Sequence, residues 1–585
     1  MNIELKVSRL LLLVAILFSL LLLNLFRMQI LKGDYYQSLS EKNRVRVVYL
    51  EGPRGKILDR RGRELANNRL SFNCTVTPGE KRERIEKSFR IVASILQEDP
   101  DVLDERYQKR KPGAFNSIIL AEDISASQAI AIEERLDLLP GFMIETRPQR
   151  EYPYGEAAAH LTGFLGPFHG DESEDPEYQD YNALEWLGKE GLEKFYEGYL
   201  HGRSGGLQME VNSRGRFIKA LGVKEPMEGK DIQLTIDADL QEFAQALFKS
   251  QKGAAIVMEL EKGGILALNS APSFDPNLFS STRGRKNVGK YLHDPDAPML
   301  DRGIQGQYPP GSIFKIVTAL AALGNGRIQA STVFNCQGSL VVGGNRFHCW
   351  NEKGHGPQGL TEAFAHSCDV YFYRTGLAAG VDALYKKAVQ FGFASKTGID
   401  LPGEREGFVP SREWKENKMH AAWYDGDEAN FSIGQGYLQV TPIQALQMIT
   451  AIATGGKILE PHLVDKINGV IVGECHSKPV AISPEDLKSV KEGLDQVVNS
   501  GTGTGRLARV PGVRIAGKTG SAQAGREKKT HAWFVGYAPE KDPKVAMVIF
   551  LEHGGHGGVE AAEIAHALFR HLKESGYLNV KEVVG

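Results

Sequence analysis

Ser312 and Lys315 are the residues whose types and spacing first suggest chemistry. They stand in Pro309-Pro310-Gly311-Ser312-Ile313-Phe314-Lys315, which runs into Ile316-Val317-Thr318-Ala319-Leu320. Turn residues followed by an almost wholly apolar run read as a helix buried inside a domain, with Ser312 in its first turn. Residues three apart share a helix face, so the Lys315 amine would lie against the Ser312 hydroxyl, a serine nucleophile with a lysine base. The helix N-terminus would favour negative charge developing there. Taken alone, the pair reads more readily as a capping serine and a surface lysine, since Ser-x-x-Lys is a common chance pattern. A second hydroxyl stands in His366-Ser367-Cys368-Asp369, and a second amine in Lys518-Thr519-Gly520-Ser521.

A different chemistry is offered by Cys336, Cys349, His355 and Cys368, with 12, 5 and 12 residues between them. Three thiolates and an imidazole would complete a tetrahedral structural zinc site. The same residues also allow a Cys336–Cys349 disulfide, free thiols with Cys368 as a small buried hydrophobe, or His348 in place of His355. Under the zinc reading Cys368 would lock the loop between Ser367 and Asp369.

Two motifs are set aside. Gly512-Val513-Arg514-Ile515-Ala516-Gly517-Lys518-Thr519 fits the phosphate-loop pattern, but small residues and a strand pattern, Thr530 to Tyr537, follow where a helix is needed. A duplicate Lys396-Thr397-Gly398 sits between two turns, about thirty residues after Ser367.

The elements that must position these residues follow from the rest of the chain. With 585 residues, two to four domains are expected at ~150 residues each. A net charge of -2 gives no electrostatic reason to expect nucleic acid as a partner. Five cysteines are too few for a disulfide scaffold. Residues 10–31 are apolar enough for a membrane anchor, preceded by Lys6 and Arg9 and followed by no small-x-small cleavage site. The positive-inside rule leaves 1–9 as a cytoplasmic tail and everything later outside.

Next, Arg44 to Tyr49 alternates like a strand. Gly52 to Ala66 reads as tight turns held by Arg-to-Asp contacts, a polar staple without chemistry. Residues 80–140 read as small solvent-facing helices. Arg150-Glu151-Tyr152-Pro153-Tyr154-Gly155 and Gly188 to Glu193 punctuate the following stretch, and Gly202 to Gly206 opens a strand-rich passage. Residues 40–230 are therefore expected to be a scaffold between membrane and catalytic domain. From Asp231 a strand, a helix around Gln241 to Phe248 and a hairpin, Gly253–Glu259 with Gly264–Leu268, open the second half, 231–580.

Ser312-x-x-Lys315, Ser367-x-Asp369 and Lys518-Thr519-Gly520 come in that order, about 55 and then about 150 residues apart. The conjunction resembles the penicillin-recognising serine acyltransferases. With Gly52 to Ala66, Arg150 to Gly155, Gly188 to Glu193, Ser432-Ile433-Gly434-Gln435-Gly436 and the anchor, nearly the whole chain resembles a class B penicillin-binding protein. That resemblance implies an α/β (α+β) transpeptidase sandwich with a five-stranded antiparallel sheet, above a pedestal and one membrane helix. It implies that Ser312 attacks the D-Ala-D-Ala carbonyl of a peptidoglycan stem peptide, that Lys315 takes its proton and that Ser367 protonates the departing D-alanine. Backbone N–H groups of Ser312 and Ser521 would hold the oxyanion, and Lys518 with Thr519 the terminal carboxylate. No cofactor would take part in the chemistry, and β-lactams would trap the acyl-enzyme.

Asp369 departs from the superfamily's Asn; it can only accept hydrogen bonds, and its role is open. Ser-x-Asp occurs in the branch serving cell elongation, some members of which carry zinc in this segment. The resemblance further implies an inner-membrane location and a RodA-type glycan polymerase as partner. A division-type transpeptidase, a β-lactamase, a β-lactam sensor and a mainly non-catalytic polymerase activator are the other readings of these motifs.

Overall fold

The computed structural model describes residues 3–36, 45–77, 82–109, 118–168, 181, 185–211, 217–281, 284–525 and 528–578. The chain forms two compact units. One comprises residues 1–54, 69–149 and 201–229; the other comprises 55–68, 150–200 and 230–585. The expected strand start at Arg44 lies outside the described residues.

In the first unit, Ile3–Phe26 is helical and continues through the π-helical turn Arg27–Leu31. Its span Lys6–Leu31 is long and apolar enough to cross a membrane, and none of it is covered by protein. Val45–Leu50, Gly205–Val211 and Phe217–Lys224 make a three-stranded antiparallel sheet. The helices between 80 and 140 are not merely solvent-facing. Arg82–Leu96 buries Ile85, Phe89, Val92 and Leu96, a single stripe at helical spacing, against Leu103, Ile118, Leu120 and Phe142 in a separate small core.

The second unit is built on five antiparallel strands in the order Ile265–Ala271, Gly253–Glu259, Val545–Leu551, His531–Ala538 and Ala516–Ala522. The three inner strands are apolar on both faces because helices cover both. Every residue of Val545–Leu551 is buried, as is every residue of the helix Pro442–Ala453. Lys315–Gly324 is a second such helix, buried along nine of its ten residues. A helix buried all round cannot be amphipathic, which is why its sequence shows no polar stripe. The strand Ala516–Ala522 is the sheet edge, and its free side is where the rest of the site assembles.

The Gly52 to Ala66 stretch supplies the expected staple. Asp59, fully buried, accepts from the backbone N–H groups of Arg61 (2.8 Å) and Arg63 (2.9 Å) and from Arg63 Nε (2.8 Å). These bonds outweigh the cost of burial and hold its carboxyl below the usual carboxylate range. Arg61 and Arg63 also reach Asp237 and Asp239 at the start of the helix Ala238–Phe248.

In the Arg150 to Gly155 stretch, Arg150 Nε donates to Glu193 Oε1 at 2.6 Å with both side chains buried, and the Tyr152 hydroxyl adds a bond at 3.3 Å. Removing one partner of such a pair strands the other charge. Arg150→Met is expected to lower unfolding free energy by about 3 kcal/mol, read by chemical denaturation of the detergent-solubilised protein. A loss under about 1 kcal/mol would contradict this account of the pair.

Candidate active site

Ser312 does not sit inside an α-helix. Gly311–Phe314 is a 3-10 turn, and the α-helix begins at Lys315. In a 3-10 turn residues i and i+3 eclipse, so Ser312 and Lys315 stand one above the other. Three contacts hold the turn. Gly311 N–H donates to Gly434 O at 2.9 Å, Thr318 Oγ1 donates to Ser432 O at 2.7 Å, and Trp533 Nε1 donates to Pro309 O at 3.1 Å. Gly434 has φ +72°, and a methyl group there would fall 2.2 Å from Gly311 O. Only glycine meets both conditions, which gives the Ser432-to-Gly436 stretch a physical role.

The Lys315 amine is fully buried and spends its donors away from Ser312. It donates to Asp369 Oδ1 (2.7 Å), Ser367 O (2.8 Å) and Ser367 Oγ (3.2 Å). No hydrogen bond links it to the half-buried Ser312 hydroxyl, so the direct contact expected from sequence is absent from this resting arrangement. Lys518 reaches the same serine from the edge strand, donating to Ser367 Oγ at 2.9 Å and to Thr519 O at 2.8 Å. Ser367 adopts a left-handed backbone, φ +51°, which turns its hydroxyl between the two amines.

The electrostatics are therefore two buried amines, one hydroxyl and one carboxylate. Burial, reinforced by the positive charge of Lys315, pushes the Lys518 amine well below the ordinary lysine range, against a weaker opposing pull from Asp369. Lys315 is ion-paired with Asp369 at 2.7 Å, and Lys518 is the amine disposed to be neutral.

The third motif closes on the first. A methyl group at Gly520 would meet Pro310 O at 3.0 Å and Ile313 Cγ2 at 3.1 Å, and one at Gly311 would meet Ser521 O at 2.8 Å. Ser521 Oγ accepts from Gly557 N–H at 3.1 Å. Thr519 Oγ1 bonds Thr504 Oγ1 at 2.9 Å, and Thr504 N–H donates to Ala365 O at 3.0 Å. Lys518 lies on a strand, as the exclusion of a phosphate loop requires. In the duplicate motif, Thr397 is consumed by buried Glu404, which accepts from its N–H at 2.7 Å and from its hydroxyl at 2.5 Å.

Asp369 does accept from a lysine, and its second oxygen accepts from Trp350 N–H at 3.0 Å. Sequence reasoning missed Trp350, Thr502 and Thr504. No motif marks Trp350, and the two threonines lie among Gly501, Gly503 and Gly505, outside every motif.

Cys336, Cys349, His355 and Cys368 come together with their ligand atoms all within 4.8 Å of one another. His348 stands outside the group, and the cysteines are free thiols, so the disulfide alternative is not what the structure contains. His355 Nδ1 lies 3.7 Å from Cys336 Sγ and 3.5 Å from Cys349 Sγ. A tetrahedron with Zn–S about 2.3 Å and Zn–N about 2.0 Å has S···N edges of about 3.5 Å, so the donor set and spacing fit that ion. Within the thiol pair, the hydrogen bond from Cys368 holds Cys349 low and raises Cys368 itself.

Residues 253–570 match the penicillin binding protein transpeptidase domain, and 49–234 match the penicillin-binding protein dimerisation domain. The chain belongs to the class B penicillin-binding proteins. The peptidoglycan D,D-transpeptidase MrdA of Haemophilus influenzae is 32% identical over 94% of this chain and 89% of its own. Penicillin-binding protein 2 of Helicobacter pylori, solved in complex with MreC, superposes with TM-score 0.82 at 30% identity, over 91% of this chain and 99% of that one. A chain of a solved peptidoglycan synthase complex, in which polymerisation and crosslinking are coordinated, superposes with TM-score 0.74 at 30% identity, covering 99% of both. This class B penicillin-binding protein is of the elongation type, a serine D,D-transpeptidase with the α/β transpeptidase fold its motifs implied.

Proposed function

We propose that this D,D-transpeptidase crosslinks peptidoglycan through a Ser312 acyl-enzyme, and that substrate binding itself frees the base. The observation that carries this is the sharing of Ser367 Oγ by Lys315 and Lys518 at 3.2 and 2.9 Å. At rest the proton stays on Lys315, opposite Asp369. When the terminal carboxylate of a D-Ala-D-Ala stem arrives beside Lys518 and Thr519, its negative charge favours a protonated Lys518. Lys315 passes its proton to Ser367 Oγ, and Ser367 passes its own to Lys518. Lys315 is left neutral beneath Ser312 and takes the serine proton as Oγ attacks the carbonyl.

Backbone N–H groups of Ser312 and Ser521 hold the oxyanion. Ser367 then delivers a proton to the nitrogen of the departing D-alanine and takes in its place the one held by Lys315, 3.2 Å away. The acyl group passes to an amine of a neighbouring stem, and β-lactams stop the cycle at the acyl-enzyme. Asp369 thus serves as the resting counter-ion of Lys315, a task a neutral Asn would perform less strongly.

The Lys6–Leu31 helix anchors the protein in the cytoplasmic membrane with the catalytic unit outside, 40–230 as pedestal and 231–580 as transpeptidase domain; the family matches at 49–234 and 253–570 support that division. A RodA-type polymerase is the partner, a reading supported by the synthase complex that this chain resembles. Cys336, Cys349, His355 and Cys368 hold a structural zinc that fixes the loop bearing Ser367 and Asp369 without touching substrate.

Intact mass after incubation with a penicillin is expected to show one stable adduct on the native protein and none on Ser312→Ala. An equal adduct on the variant would overturn the nucleophile assignment. Protein purified without chelator is expected to carry about one zinc per chain, and Cys349→Ser much less. Substoichiometric metal in the native sample would overturn the zinc site.

A further inference from the structure

His366 precedes the strained Ser367 and is absent from the catalytic steps, yet it is among the most connected side chains near the site. Its Nδ1 lies 2.7 Å from Gln358 Oε1, and its Nε2 lies 3.0 Å from Thr502 Oγ1. Gln358 is buried, and its amide nitrogen donates to His355 O (3.1 Å) and Pro357 O (2.8 Å), which leaves its oxygen facing the histidine. Nδ1 therefore carries the hydrogen, and Nε2 accepts from the Thr502 hydroxyl. The His366 carbonyl accepts from Trp350 Nε1 at 2.9 Å.

The chain of bonds starts at the backbone of His355, in the Cys/His cluster, and passes through Gln358 and His366 to Thr502. Two residues beyond Thr502, Thr504 bonds Thr519 and donates its N–H to Ala365, the residue before His366. The loop bearing the second motif is thus joined at two points, one made of backbone and one made of His366, to the Thr502–Thr504 loop that bonds the third-motif strand. Ser367 cannot hold a left-handed conformation on its own preference; at a non-glycine residue it persists only where its surroundings impose it.

We propose that His366 is a positioning residue for the acyl transfer, a strut that holds the Ser367 loop against the Thr502–Thr504 loop and so fixes the spacing of Ser367 from Lys518. The inference rests on the roles given above to Ser312, Lys315, Ser367 and Lys518. A proton passed between two amines through one hydroxyl is sensitive to that spacing, and a misplacement of 1 Å is enough to cost about 10²-fold in rate. His366 touches neither nucleophile nor amine, so its loss slows the chemical step and leaves initial docking of the ligand little changed.

The test uses the full-length protein in detergent and a reporter penicillin, with acylation followed to saturation so that the acylation constant and the binding constant separate. Thr502→Val removes only the hydroxyl and is the variant least able to disturb folding; His366→Ala and the double variant complete a cycle. Each single change is expected to lower the acylation constant about tenfold or more, with the binding constant within about threefold. The double variant is expected to be little slower than the slower single, because both changes break one link. His366→Gln, which keeps a polar group near Thr502, is expected to recover part of the rate. Unchanged acylation in Thr502→Val, multiplying effects in the double variant, or a change in the binding constant alone would overturn the strut. A native protein that takes up no penicillin would instead overturn the acyl-transfer reading, and the inference with it.

Discussion

Two buried amines that share one serine hydroxyl and only one carboxylate cannot both hold a proton cheaply, and the site is arranged around that shortage. Lys315 and Lys518 are both fully buried, and of the two amines only Lys315 is bonded to Asp369. A charge removed from water costs several kcal/mol unless it is paired, so the second amine is driven toward its neutral form. One of the two amines is thereby left able to accept a proton at neutral pH. In the proposed mechanism an arriving carboxylate supplies what the resting site lacks, and the proton moves from one amine to the other through the hydroxyl between them.

The surroundings serve this arrangement. The 3-10 turn places Ser312 over Lys315, and the contacts among Gly311, Gly434, Gly520 and Pro310 leave no room for side chains between the first motif, the edge strand and the Ser432 segment. Trp350 N–H holds the second oxygen of Asp369, and Cys349, the residue before it, belongs to the Cys/His cluster. Cys368 lies between Ser367 and Asp369 and belongs to the same cluster. One group of thiols and an imidazole therefore fixes the counter-ion of Lys315 from both sides, through two separate chain segments.

Much of this was legible in the sequence. The apolar run after Lys315 announced a helix buried all round, and Thr530 to Tyr537 announced the strand that pairs with the Lys518 strand. The Cys and His spacing brought four ligands to one place, and Gly52 to Ala66 carried the Asp59 staple. What escaped is what tertiary contact alone decides. Ser312 and Lys315 lie three apart in either type of helix, so spacing could not distinguish a 3-10 turn from an α-turn, or show that Lys315 turns its donors to Ser367 and Asp369. Trp350 holds Asp369 through its backbone N–H, which every residue but proline possesses, so its side chain carries no signal of that role. Helices such as Arg82–Leu96 looked solvent-facing because their charged positions outnumber the narrow stripe Ile85, Phe89, Val92 and Leu96 that they bury.

The most direct test of the central claim is the titration of Lys518 by NMR in protein carrying 13C-labelled lysine, with its Cε signal assigned by its loss in Lys518→Met. The account predicts that Lys518 is neutral at pH values where ordinary lysines are charged, since burial and Lys315 disfavour its cation. It also predicts that a D-Ala-D-Ala peptide moves the Lys518 titration upward when it binds to Ser312→Ala. A Lys518 that stays protonated into the ordinary lysine range in the free protein, or that does not respond to the peptide, would contradict it.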